Sequence, residues 1–157
     1  MKIGIFADTH DNIDTIQKAV CFFDSQEVEY VIHAGDYVAP FSLKDITKLK
    51  AKFIGVFGNN DGDRKRLLAM CKNIHVAPYD ILLNGRHLVV THMIESLSQR
   101  VMENVDVVIS AHTHIPEIRQ GHPMYINPGE CCGWVNGRST VALLDIETLH
   151  AEIVDIS

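Results

Sequence analysis

The residues able to do chemistry in this chain stand just past the ends of apolar runs. Asp8 and His10 follow the run Lys2 to Ala7, and Asp36 follows Tyr30 to Ala34 across one glycine. Asn59, Asn60 and Asp61 come after Phe53 to Phe57. His92 ends the stretch RHLVVTH, and His112 and His114 follow Val105 to Ser110. Together Asp, Asn and His form a mixed oxygen and nitrogen donor set without thiolate, which suits Mn²⁺, Fe or Zn²⁺ better than a structural cysteine zinc or an all-oxygen calcium site. Asp8, His10, Asp36, Asn59, His92, His112 and His114 are more donors than one ion normally takes from protein. Two ions sharing a carboxylate accommodate them. Such pairs sit roughly 3.5–4 Å apart and clamp the attacking and leaving oxygens of a phosphoryl displacement.

Each residue alone has an ordinary reading. Asp8 or Asp11 could cap a helix, Gly35-Asp36 could be a turn, and Gly58 to Gly62 has turn composition. His92 could be a satisfied core histidine. His112 and His114 resist this, because alternate strand residues point the same way. What the ordinary readings leave unexplained is the shared position, since parallel strands present their carboxyl ends on one edge, where open α/β folds bind ligands.

The elements that must position these residues follow from periodicity. Helical spacing joins Ile13, Ile16, Val20 and Phe23, then Leu43, Ile46 and Leu49, then Leu67, Leu68 and Cys71. Ser42 and Asp45 fit a capping box. Strands alternating with helices predict a parallel sheet with right-handed crossovers. Beyond Ile81 the pattern changes. Asn84-Gly85 inside Ile81 to His92 signals a type I′ hairpin, a short helix is predicted over Ser96 to Glu103, and two more hairpins end the chain. The reading is a mixed α/β domain over residues 1–157, with two sheets face to face, helices outside and no linker or repeat.

At 157 residues and 46% hydrophobic, the chain can bury one real core. A formal charge of -6 argues against a protein held on polymeric nucleic acid by a basic face. Cys21, Cys71, Cys131 and Cys132 form no C-x-x-C pair and are expected as free thiols. No signal-peptide or membrane-span pattern is read, so the expected location is the cytoplasm.

The order D-x-H, G-D, G-N-x-D, H and H-x-H resembles the calcineurin-like metallophosphoesterases, closest to their small single-domain phosphodiesterase branch in bacteria and archaea. Asn127-Pro128-Gly129 resembles that branch's N-P-G turn. The resemblance implies a four-layer αββα sandwich of two mixed β-sheets flanked by helices. It implies one ion on Asp8, His10 and His114, a second on Asn59, His92 and His112, and Asp36 bridging, with a metal-bridging hydroxide attacking phosphorus. The expected metal is manganese foremost, with nickel, iron or zinc as alternatives. The expected partner is a small phosphodiester or other phosphate ester, and the branch's habit implies a homo-oligomer. His10, Asn59 and Arg64 are candidate contacts to the substrate phosphate, although the favoured reading of Arg64, Lys65 and Arg66 is a solvated helix face.

The chain also departs from the family pattern. Asn60 occupies the slot where many members have a histidine thought to protonate the leaving group, and an amide is no general acid. Asp61 and Asn60 are therefore read as orienting residues or as lying on the leaving-group side. Met93 and Ala111 replace the usual glycines, and Met93-Ile94-Glu95 offers no second histidine. Good leaving groups are expected to be favoured. His33 is a candidate neighbour of the ligands; His75, His87, His122 and His150 read as surface or structural. The competing expectation is a protein-binding scaffold with vestigial metal sites, as in the eukaryotic retromer subunit built on a similar domain.

Overall fold

The computed structural model describes residues 1–157. The first half builds a parallel sheet from β1 (Lys2–Phe6), β2 (Tyr30–His33), β3 (Lys52–Val56) and the two-residue edge strand β4 (Ile74–His75), which periodicity does not reveal. Between them run α1 (Ile13–Ser25), α2 (Leu43–Ile46) and α3 (Arg64–Met70). The second half begins with the hairpin β5 (Tyr79–Leu83) and β6 (Arg86–Val90). Asn84 and Gly85 both take positive φ, as a type I′ turn requires. After α4 (Gln99–Met102), β7 (Val107–Ile109) lies parallel to β6 and to β9 (Met124–Asn127), with β8 (Glu117–Arg119) antiparallel at the edge. The last hairpin, β10 (Thr140–Asp145) and β11 (His150–Asp155), returns to the first sheet beside β1. The sheets therefore read β11-β10-β1-β2-β3-β4 and β5-β6-β7-β9-β8.

Their inner faces make one core, with Ile3, Ile5, Ile32 and Val56 meeting Leu88, Val90, Ile109 and Ile126. On the outer face of the first sheet, Ile16, Phe23, Leu43, Ile46 and Leu67 pack against Phe6, Val31 and Val141. Each such side chain contributes about 1.5–3 kcal/mol, so packing, more than intrinsic propensity, holds these short helices. The outer layer over the second sheet is thin, with Leu97, Val101 and Met102 set against Val89, Val108 and Tyr125. The expected αββα order is present.

Three local expectations are corrected. The helix predicted from Leu43 to Leu49 is one turn of α-helix after the 3₁₀ turn Pro40–Ser42, and the helix predicted over Ser96 to Glu103 contracts to α4. The capping box does not form. Ser42 has helical φ and ψ, and its hydroxyl donates backward to the carbonyls of Tyr37 and Ala39. Asp45 instead accepts from Lys48 and Gln17.

Candidate metal centre

The carboxyl ends of both sheets meet at one edge of the sandwich. The segment after β1 supplies Asp8 and His10, that after β2 Asp36, and those after β6 and β7 supply His92 and His114. Oδ1 of Asp8 lies 3.8 Å from Nε2 of His10, 3.7 Å from Nε2 of His114 and 4.0 Å from Nε2 of His92. Oδ2 of Asp36 lies 3.6 Å from Nε2 of His10 and 3.3 Å from Nε2 of His92. Donors each about 2.0–2.2 Å from a shared cation are spaced in this way. Asp8, His10 and His114 form one such group and Asp8, Asp36 and His92 another, so Asp8 is common to both, while Asp36 also approaches His10 of the first.

The donor atoms test whether a cation belongs here. Oδ1 of Asp8 and Nε2 of His10 and His92 are buried with no hydrogen-bond partner. Unpaired buried polar groups cost about 1–3 kcal/mol each, and one kind of partner, a cation, satisfies all three. The ring tautomers agree. Nδ1 of His92 lies 2.8 Å from the Ala34 carbonyl, which only accepts, so that nitrogen carries the proton and Nε2 offers a lone pair. Nδ1 of His114 donates in the same way to Oε2 of Glu130 at 2.9 Å.

Electrostatics follow the burial. Burial pushes Asp8 up to about 6, with Asp36 adding to the rise, as for a carboxylate lacking its counter-ion. Burial would raise Asp36 too, but His92 and the donors of Asn60 outweigh it and hold Asp36 well below the usual range. Burial lowers His10.

The backbone is strained where the donors sit. Asp8, His10, Asp36, His112 and His114 all take left-handed φ, an uncommon conformation outside glycine. Gly58 has a steric reason. A Cβ there would lie 2.1 Å from Oδ1 of Asp36 and 2.5 Å from its backbone nitrogen. Gly35, at φ +100°, lets the chain pass beneath His92.

The remaining candidates divide. Asp61 is buried and accepts from the N–H groups of Asp36, Val38 and Gly58, so it holds the Asp36 loop closed. Both donors of Asn60 face Asp36, its N–H to Oδ1 at 2.8 Å and its amide to Oδ2 at 2.7 Å. Asp61 and Asn60 are thus both engaged with the Asp36 loop. Asn59 is exposed and borders a cavity with His92. His112 is also exposed, its ring edge-on to His92 at 5.2 Å, and its N–H donates to Oδ2 of Asp8. The structure thus brings Asp8, His10, Asp36, His92 and His114 to one point and leaves Asn59 and His112 at its rim.

His33 is core. Its Nδ1 accepts from the Gly35 N–H and its Nε2 meets Thr9 Oγ1, while burial keeps it neutral. His75 stacks on Tyr79, and His87, His122 and His150 are exposed.

Sequence reasoning missed Glu130. Besides holding His114, its carboxylate accepts from the N–H groups of Val135 and Asn136 and from the Cys132 thiol, and these partners outweigh burial to bring it down to about 2. The available signal was its place directly after Asn127-Pro128-Gly129. That turn also braces the histidine loop, because the Asn127 amide donates to the Ala111 carbonyl and to Thr113 Oγ1. The loop that Glu130 pins carries Trp134, exposed, with its ring 6.4 Å from that of His10.

Comparison with known proteins agrees with this geometry. The chain is 38% identical to a phosphodiesterase of Methanocaldococcus jannaschii over 94% of each sequence. Among solved structures, an archaeal phosphodiesterase superposes with a TM-score of 0.87 at 35% identity over 99% of each chain. A phosphoesterase from E. coli, Yfce, shares the fold at TM-score 0.70 and 19% identity over the full length of both. The family profile described as the calcineurin-like phosphoesterase superfamily domain matches residues 1–149, and this chain, with metal-competent donors at its strand ends, belongs to that superfamily.

Proposed function

We propose that the chain is a dinuclear metal-dependent phosphodiesterase. The observation that carries this reading is the convergence of Asp8, His10, Asp36, His92 and His114 with orphaned donor atoms aimed at one point. Asp8, His10 and His114 would hold one divalent ion, His92, His112 and Asn59 the other, and Asp36 would bridge. When bound, the ions supply Lewis acidity, lowering the pKa of a water and neutralising charge on the phosphate. Manganese is the metal proposed, with nickel, iron or zinc as alternatives, and a mixed carboxylate and imidazole set can hold any of them.

The chain's own residues prepare that chemistry. Ala34 and Glu130 fix the His92 and His114 tautomers, and Asn60 and Asp61 hold Asp36 in its left-handed turn. His10 in the donor cluster and Asn59 at the cavity beside His92 are the proposed contacts to a phosphate oxygen. An amide at Asn60 supplies no proton to a leaving group, so diesters with good leaving groups should react fastest. Free thiols at Cys21, Cys71, Cys131 and Cys132 suit action in the cytoplasm. A protein-binding scaffold would need neither buried unpaired donors nor fixed tautomers.

The test is hydrolysis of bis(p-nitrophenyl) phosphate by purified protein with Mn²⁺, beside Asp36→Asn. We expect the variant to lose at least about 100-fold in rate, the scale of losing a preorganised charge at the reacting centre. Equal rates for the two proteins would sink the proposal.

A further inference from the structure

Beside His92 and Asn59 lies a cavity of about 300 Å³, walled by Phe57, Val76 and Met93 and bordered by Arg64. The Arg64 side chain is held in place. Its guanidinium lies 4.9 Å over the Phe57 ring, and its Nε and one terminal nitrogen donate to the carbonyls of Asp61 and Gly58. Those carbonyls leave the charge itself unanswered. Arg66, Arg86, Arg119 and Arg138 each pair with a carboxylate; Arg64 and Arg100 have none within 4.0 Å, and of these two only Arg64 lines the cavity. Lys65 and Arg66 read as a solvated face; Arg64 is exposed as they are, but it also lines the cavity.

A fixed, uncompensated guanidinium with free N–H groups is a reader of phosphate or carboxylate. The scissile phosphate belongs at the donor cluster, where cations would meet its charge, so Arg64, which lines the same cavity as Asn59 and His92, is available to a second anion. The cavity is at the small end for ligand sites, which fits a compact, pentose-sized body between the two. Resting on the phosphodiesterase reading, we propose that Arg64 binds a second phosphate carried by one substituent of the diester, one sugar ring away from the phosphorus attacked. The substrate class is then a nucleotide-type diester bearing a further terminal phosphate.

The experiment compares thymidine 5′-(p-nitrophenyl phosphate) with the same diester carrying a 3′-phosphate, using metal-loaded wild type, Arg64→Gln and Arg64→Lys. Calorimetric binding of thymidine 5′-monophosphate and thymidine 3′,5′-bisphosphate runs in parallel. We expect wild type to favour the 3′-phosphorylated member of each pair by about tenfold or more, the scale of one charge-assisted hydrogen-bonded contact. That preference should collapse to within about twofold in Arg64→Gln, with Arg64→Lys between the two. Equal handling of both members by wild type, or an unchanged preference in Arg64→Gln, would overturn the assignment. If wild type hydrolyses neither diester, the phosphodiesterase reading falls, and the calorimetric pair still decides Arg64.

Discussion

Glu130 governs the His114 side of the centre without facing the shared point itself. Its carboxylate fixes the imidazole proton on Nδ1 and so leaves Nε2 to bind. Glu130→Gln keeps an oxygen for the N–H groups of Val135 and Asn136 but loses the charged acceptor. Manganese affinity, measured by calorimetry, should fall about 10–100-fold, the usual effect of removing an outer partner of a metal-binding histidine. An unchanged affinity would reduce Glu130 to an anchor for the Trp134 loop.

At the scale of elements, the strand ends decide the geometry. The loop after β3 passes so close to Asp36 that Gly58 must lack a side chain. Gly58→Ala should therefore displace Asp36 and cost about 100-fold in turnover, as misplacements near 1 Å do, while circular dichroism still shows a folded chain. Activity near wild type would mean that the loop yields without moving Asp36.

The same elements show what the sequence could and could not reveal. Polar residues after apolar runs are visible as composition, so Asp8, His10, Asp36, His92 and His114 were legible, and Asn84-Gly85 announced its hairpin. β4 was not, because two residues carry no period. The brevity of α2 was also hidden, since its three apolar positions pack equally well from a turn. Glu130 depends on meeting His114 from another loop, and a single sequence does not encode that as spacing.

For the whole molecule, folding and metal binding are linked. Only the folded chain brings Asp8, Asp36, His92 and His114 together across two sheets, so ions stabilise the native state by mass action. At a free ion concentration about 100 times the dissociation constant the gain is about 2.7 kcal/mol. For a chain of this length that is roughly 5–10 °C in melting temperature. Calorimetric melting should show this rise with Mn²⁺, its reversal by EDTA, and little of it in Asp36→Asn. A melting temperature indifferent to metal and chelator would contradict the linkage.

The loop pinned by Glu130 has one more consequence. Trp134 is the chain's single tryptophan, stands in solvent beside His10, and is tied through Glu130 to His114. The protein therefore carries its own optical gauge, because every photon of indole emission originates within a few ångströms of the centre. Paramagnetic Mn²⁺ should quench that emission and diamagnetic Zn²⁺ should leave most of it. In a titration at tight-binding concentrations, the position of the break counts the ions that the first-filled part of the centre accepts per chain.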